Sequence, residues 1–190
     1  MEAFFVSLVV VALGEIGDKT QLLALVLAAR YRKPLPIVLG ILVATLFNHT
    51  LAGAVGAWAR HTVPPEYLRW LLAASFLGVA LWALKPDKIQ AEPIATGRAG
   101  IFVITIVSFF IAEIGDKTQI ATMVLAAKFD NLIAVVAGTT AGMLLADIPA
   151  VLLGNAAATR IPFRLVRYVA AGLFAVLGVI AWFAPALPQT

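Results

Sequence analysis

The chain has 190 residues, 62% of them hydrophobic, and a net charge of +4. Its mean hydropathy is +0.99, and soluble domains average only about 45–50% apolar residues, so a bilayer is the expected solvent. Cysteine is absent, which removes disulfides, thiolate metal sites and thiol catalysis. The basic residues sit in short turns and form no continuous face, which argues against nucleic acid as a partner.

In chain order, six apolar stretches are long enough to cross a hydrocarbon core of about 30 Å. They are Phe4–Ala29, Leu35–Ala59, Leu68–Leu84, Ile101–Ala127, Leu132–Ala156 and Leu165–Ala184. The first begins after Met1-Glu2-Ala3 with no basic region and has polar groups at its middle. It is therefore read as a span and not as a cleaved signal peptide. Arg30-Tyr31-Arg32-Lys33-Pro34, a segment with Pro64-Pro65, and a link opening with Lys85-Pro86-Asp87-Lys88 separate the stretches. Continuous apolar runs predict helices, since barrel strands alternate. Trp58, Tyr67, Trp70, Trp82, Tyr168 and Trp182 fall near span ends and suit an interfacial belt.

The chain repeats itself. Glu15 to Gln21 and Glu113 to Gln119 both read EIGDKTQ, and at the same offset of 98 Gly40 meets Gly138 and Gly56 meets Gly154. Two homologous halves follow: 1–84 as a first three-helix repeat, 85–100 as a cytoplasmic linker and 101–190 as a second repeat. Three spans per half oblige the second half to enter from the opposite side, which makes the repeats inverted. The fold class expected is thus an all-α integral membrane protein of six transmembrane helices in two inverted repeats. Arg30, Arg32, Lys33, Lys85, Lys88, Arg98, Arg160, Arg164 and Arg167 fall on one side, and Arg60, Arg69 and Lys128 on the other. The richer side should be cytoplasmic, placing both termini outside the cytoplasm in a multi-pass cell (inner) membrane protein.

The repeated motif carries the chemistry. Glu15 and Asp18, like Glu113 and Asp116, are three residues apart, a spacing that on a helix puts both carboxylates on one face. A charge at a helix centre costs roughly 2.5–3.5 kcal/mol on insertion scales. Four carboxylates and two lysines then cost nominally on the order of 15–20 kcal/mol before pairing. Antiparallel halves can bring the motifs face to face, and Lys19 and Lys117 are expected as charge compensation, each placed to pair with the glutamate four residues before it. The balance of four carboxylates and two lysines is −2, which one divalent cation neutralises. A proton neutralises a desolvated carboxylate equally well, and this competition is the physical basis for cation/proton exchange. The expected metal ligands are Glu15, Asp18, Glu113 and Asp116, with Thr20, Gln21, Thr118 and Gln119 as supporting ligands. Such an all-oxygen set suits Ca²⁺, Mn²⁺ or Mg²⁺. Gly14, Gly17 and Gly115 allow close helix approach or a local break. Asn48, His49 and Asp147 are further polar groups inside spans, with His49 and Asp147 equivalent at the offset of 98; they are candidates for a proton relay or outer ligands.

At these residues the chain resembles the GDT family of Golgi-type and bacterial divalent cation/proton antiporters, also called the second Ca²⁺:cation antiporter family, within the lysine-exporter superfamily. The signature of that family is a duplicated Glu-x-Gly-Asp-Lys/Arg-Thr/Ser in spans one and four of six. Glu15-Ile16-Gly17-Asp18-Lys19-Thr20 and Glu113-Ile114-Gly115-Asp116-Lys117-Thr118 match every position. The resemblance implies export of Mn²⁺, or of Ca²⁺, from the cytoplasm in exchange for protons, with the four motif carboxylates as the cation site. The cation is cargo and no resident cofactor is expected; lipid surrounds the chain, and a homo-oligomer is left open. Three alternatives stand beside this reading. One is a salt-bridge lock without cargo, which buried ion pairs, being weak stabilisers, argue against. The second is an exporter of an organic cation or amino acid. The third is an intramembrane enzyme, disfavoured because no arginine sits near the middle of a span to serve phosphate chemistry.

Overall fold

The computed structural model describes residues 1–85, 100–153 and 163–183. Within them it is all-helical: α1 (Glu2–Glu15), α2 (Lys19–Tyr31), α3 (Pro34–Thr62), α4 (Pro65–Ala83), α5 (Ile101–Glu113), α6 (Lys117–Lys128), α7 (Leu132–Leu153) and α8 (Phe163–Phe183). The linker interior, with Lys88 and Arg98, lies outside the described residues, as do Gly154, Arg160 and the side chains of Arg164 and Arg167.

Within the described residues, four of the six apolar stretches coincide with single helices, α3, α4, α7 and α8. The other two, Phe4–Ala29 and Ile101–Ala127, are each two helices, so that of the two roles open to the motif glycines the structure shows a local break. The interruptions fall at Gly17 and Gly115, with φ of 82° and 71°. A helix cannot pass through the left-handed region, which glycine enters without steric cost. Prolines mark the starts of α3 and α4. Pro34 and Pro65 occupy the first helical turns of α3 and α4, where a missing N–H costs nothing.

Among the described residues, two helices, α3 and most of α7, are long and apolar enough to cross a membrane by length and composition. The 29 residues of α3 extend roughly 44 Å at 1.5 Å per residue. They are the equivalent helices of the two halves, and they pack against each other. The most extensive of the other contacts run between halves: α1 packs along α7, α5 along α3, α2 on α7 and α6 on α3, while α4 packs on α8.

Matched glycines make the close contacts of this exchange. A Cβ at Gly40 would stand 2.6 Å from Thr105 Cβ and 3.0 Å from the Phe102 carbonyl oxygen. A Cβ at Gly138 would fall on the Phe4 carbonyl oxygen and stand 3.0 Å from Ser7 Cβ. Phe4 and Phe102, and Ser7 and Thr105, are themselves related by the offset of 98. The two seams are the same contact made twice, with small residues letting backbones approach as they do between helices in lipid.

Polarity runs inside out. Glu15, Asp18, Thr45, Asn48, His49, Glu113, Asp116, Thr118 and Asp147 are buried, while Leu46, Phe47, Leu81, Leu145, Leu152 and Ile180 are exposed. Water-soluble proteins rarely expose continuous apolar surface on this scale; the distribution fits a bilayer. Trp58, Tyr67 and Tyr168, expected in an interfacial belt, are all exposed.

The seams give a direct test. Gly138→Val should destabilise the protein by about 1–3 kcal/mol, the usual cost of overpacking. Gly78→Ala, inside α4 where the added Cβ meets nothing within 4 Å, should leave the protein as stable or stabilise it by up to about 1 kcal/mol. Thermal unfolding in detergent, followed by tryptophan fluorescence, compares the two; equal melting temperatures would show that the α1–α7 seam is not a tight contact.

Candidate cation site

The first four motif residues fold into a tight turn, and the turn builds the site. Ile16 has φ −60° and ψ 118°, Gly17 has φ 82°, and the Asp18 N–H donates to the Glu15 carbonyl at 2.9 Å. This is a type II β-turn, whose third residue needs positive φ. The second copy repeats it, with Ile114 at −58° and 120°, Gly115 at 71° and Asp116 N to Glu113 O at 3.0 Å. The last motif residue fastens the turn: Gln21 Oε1 accepts from Gly17 N at 2.9 Å, and Gln119 Oε1 from Gly115 N at 2.8 Å.

Each turn delivers its aspartate to a helix start. Asp18 and Asp116 are the N-caps of α2 and α6, where a carboxylate is favoured by the unpaired N–H groups and the helix dipole. Asp116 Oδ2 accepts from the Thr118 N–H at 3.3 Å and from its hydroxyl at 3.1 Å. Thr20 Oγ1 donates to Asp18 Oδ2 at 3.4 Å.

The lysines cross over. Lys117 Nζ pairs with Asp18 Oδ1, and Lys19 Nζ lies 3.0 Å from Asp116 Oδ1. The expected pairing along the helix, Lys19 with Glu15 and Lys117 with Glu113, gives way to pairing between motifs. The reason is the turn, which ends the first helix at the glutamate and starts the next at the lysine, so the helical i, i+4 relation does not exist.

Glu15, Asp18 and Asp116 each offer a carboxylate oxygen, all within 4.8 Å of one another and all buried. Three of the four expected ligands thus converge. Glu113 stands apart from that group. Its Oε1 accepts from Thr45 Oγ1 at 2.8 Å, and its Oε2 lies 4.0 Å from His49 Nε2. Asn48 donates to the Phe110 carbonyl at 3.1 Å and accepts from Gln119 Nε2 at 3.3 Å. Gln21 Nε2 instead donates to the Ala146 carbonyl at 2.9 Å. Asp147 is fully buried on α7. Thr20, Gln21, Thr118 and Gln119 therefore hold the aspartates and the turns, and Asn48 braces the second turn. Thr45 was not singled out in the sequence; its signal is a hydroxyl facing the core of an apolar helix.

A buried, all-oxygen cluster with fixed counter-charges, in a helical and lipid-fitting protein, has the chemistry to receive a small hard cation. The comparisons with known proteins agree. The model of the divalent cation/proton antiporter GDT1 family matches residues 3–91 and 101–187, one segment in each half. A Vibrio cholerae protein provisionally named a manganese exporter is 50% identical over 184 residues, covering 96% of this chain and 92% of its own. A GDT1-like protein of Synechocystis is 32% identical over 96% of this chain and 98% of its own. GDT1-like protein 5 of Arabidopsis thaliana is 28% identical over 97% of each. No solved structure gives a significant match. The chain belongs to the GDT1 family of divalent cation/proton antiporters. It is a transporter of divalent cations and not an enzyme, which decides against the organic-solute and hydrolase alternatives.

The crossed pairs predict a coupled stability effect. Lys117→Met leaves Asp18 buried without its cation and should cost about 3–5 kcal/mol. Adding Asp18→Asn removes the orphaned charge and should restore a large part of that. Melting temperatures of the two single variants and the double variant measure the coupling; additive losses would show that the pair does not exist.

Proposed function

We propose that this chain exports Mn²⁺ from the cytoplasm in exchange for protons, with Ca²⁺ as a second cargo, through a site centred on Glu15, Asp18 and Asp116. The observation that carries this reading is the convergence of three buried carboxylate oxygens within 4.8 Å at the junction of the two repeated turns. Carboxylate oxygens suit Mn²⁺ and Ca²⁺, and the relative provisionally named a manganese exporter favours Mn²⁺. Lys117 and Lys19, on Asp18 and Asp116, act as internal counter-ions that an arriving divalent cation displaces. When the cation leaves, the lysines and protons neutralise the same carboxylates, which makes the two cargoes alternatives for one site. Glu113, on Thr45 and beside His49, belongs to the same buried polar network and takes part in the exchange without joining the three-carboxylate cluster.

The architecture that serves this function is six spans in two inverted repeats. The first span is formed by α1 and α2 and the fourth by α5 and α6, each broken at its motif. Discontinuous helices with ion-binding turns at their breaks are the usual form of such sites in inverted-repeat carriers. The exchange of α1 and α5 between the long helices α3 and α7 supports a two-fold relation. The loop charges favour a cytoplasmic linker over 85–100, both termini outside, and the cell membrane as location.

Liposomes containing the purified protein and an internal pH dye test the proposal. External Mn²⁺ should enter and drive a pH change, and Asp18→Asn should lower the initial rate roughly 10–100-fold, the range seen when metal-site support is removed. Mn²⁺ entry without any pH response overturns proton exchange but leaves cation transport; no entry of Mn²⁺ or Ca²⁺ overturns both.

A further inference from the structure

The halves share a backbone design but differ in what faces their motif glutamates. Thr45, which holds Glu113 at 2.8 Å, has Met143 as its counterpart at the offset of 98. Met143 is fully buried and has no proton to donate. His49, 4.0 Å from Glu113, has Asp147 as its counterpart. The first half, through α3, therefore gives Glu113 a hydrogen-bond donor and an imidazole. The second half, through α7, carries a thioether and another acid at the matching places.

Glu15 and Asp147 are both 0% exposed, and neither carboxylate has a hydrogen-bond partner for either oxygen. Buried carboxylates without donors are costly and rare, and each calls for an explanation. α1, which ends at Glu15, packs along α7, which carries Asp147. Asp147 is held near the first turn by its neighbour, since the Ala146 carbonyl receives the Gln21 amide at 2.9 Å. Glu15 is itself a member of the three-carboxylate cluster, and the two unmet oxygens of Asp147 join its two in an acid-rich interior that no protein donor fills.

We infer that Asp147 is a fourth carboxylate of the cation site, so that the cargo is held by Glu15, Asp18, Asp116 and Asp147 while Glu113 stays outside it on Thr45. The inference rests on the cation site proposed above and adds to it that the site is built unequally, on the Glu15 side. The four carboxylates, less the two crossed lysines, leave a balance of two negative charges, matched by one divalent ion. Because α7 supplies one ligand and the two turns the rest, α7 also sets the width of the site and with it the preference between Mn²⁺ and the larger Ca²⁺.

Equilibrium binding of radioactive Mn²⁺ and Ca²⁺ to the full-length protein in detergent, at one fixed pH, tests this. Asp147→Asn should weaken Mn²⁺ binding tenfold or more with an unchanged melting temperature, and Asp147→Glu should restore binding with an altered Mn²⁺/Ca²⁺ ratio. Asp18→Asn serves as the check on the underlying site. If Asp18→Asn loses binding and Asp147→Asn keeps wild-type affinity, the fourth ligand is refuted and the three-carboxylate site stands. If Asp18→Asn itself binds like wild type, the site is refuted and the inference with it. Should Asp147→Asn not fold, Asp147→Glu alone decides: unchanged affinities for both ions overturn the inference.

Discussion

The reciprocal pairing of lysine and aspartate between the two motifs is the interaction on which the rest of this structure depends. Each turn exposes a carboxylate at a helix start, inside a protein whose surroundings supply no water. The lysine of its own motif begins the next helix and points elsewhere, so each aspartate takes the lysine of the other copy. A buried charge left alone is prohibitive, and a buried pair is tolerable only with good geometry and further hydrogen bonds. Thr20, Thr118 and the α6 N-terminus supply those bonds. Neither motif is electrically complete by itself, which ties the position of α2 to that of α6 and brings Glu15 into reach of Asp116.

Packing follows from the same requirement. Lipid is as apolar as leucine, so burial of apolar surface does little to bring spans together. The helices are joined where side chains are smallest and where polar groups need partners. Gly40 and Gly138 allow α5 and α1 to lie against the two long helices, and the amides of Gln21 and Gln119 reach across to Ala146 and Asn48. Arg60 adds a peripheral tie by donating to the Lys128 carbonyl at 2.8 Å at the end of α6.

The features legible in the sequence were those fixed by identity or by composition. The repeat, the all-helical class, the acidic motif and the glycine pairs needed only the offset of 98 and the apolar runs. The breaks were half legible. Glu-Ile-Gly-Asp is a good type II turn, but an apolar run on both sides masks it, and Gly17 and Gly115 read equally well as packing glycines. The lysine partners were not legible, because spacing along a chain predicts local pairs and the pairs formed here span residues 19 to 116 and 18 to 117. Thr45 was hidden for a related reason. A threonine within a helix most often bonds back to its own backbone, as Thr105 does to Ile101 at 2.8 Å, and only the arrival of α5 beside α3 makes Thr45 a partner of Glu113.

The differences between Thr45 and Met143, and between His49 and Asp147, have a consequence for how such a molecule can come about. Two identical subunits facing each other across a two-fold axis must present the same residue at every matched place, so both glutamates would meet a histidine or both would meet an aspartate. A single continuous chain is free of that obligation. Once the two copies are joined, one can drift toward holding an acid in check and the other toward crowding acids together, while the shared backbone keeps them in register. In this protein the covalent link between the halves is thus what permits division of labour within a structure that otherwise keeps the imprint of a symmetric dimer.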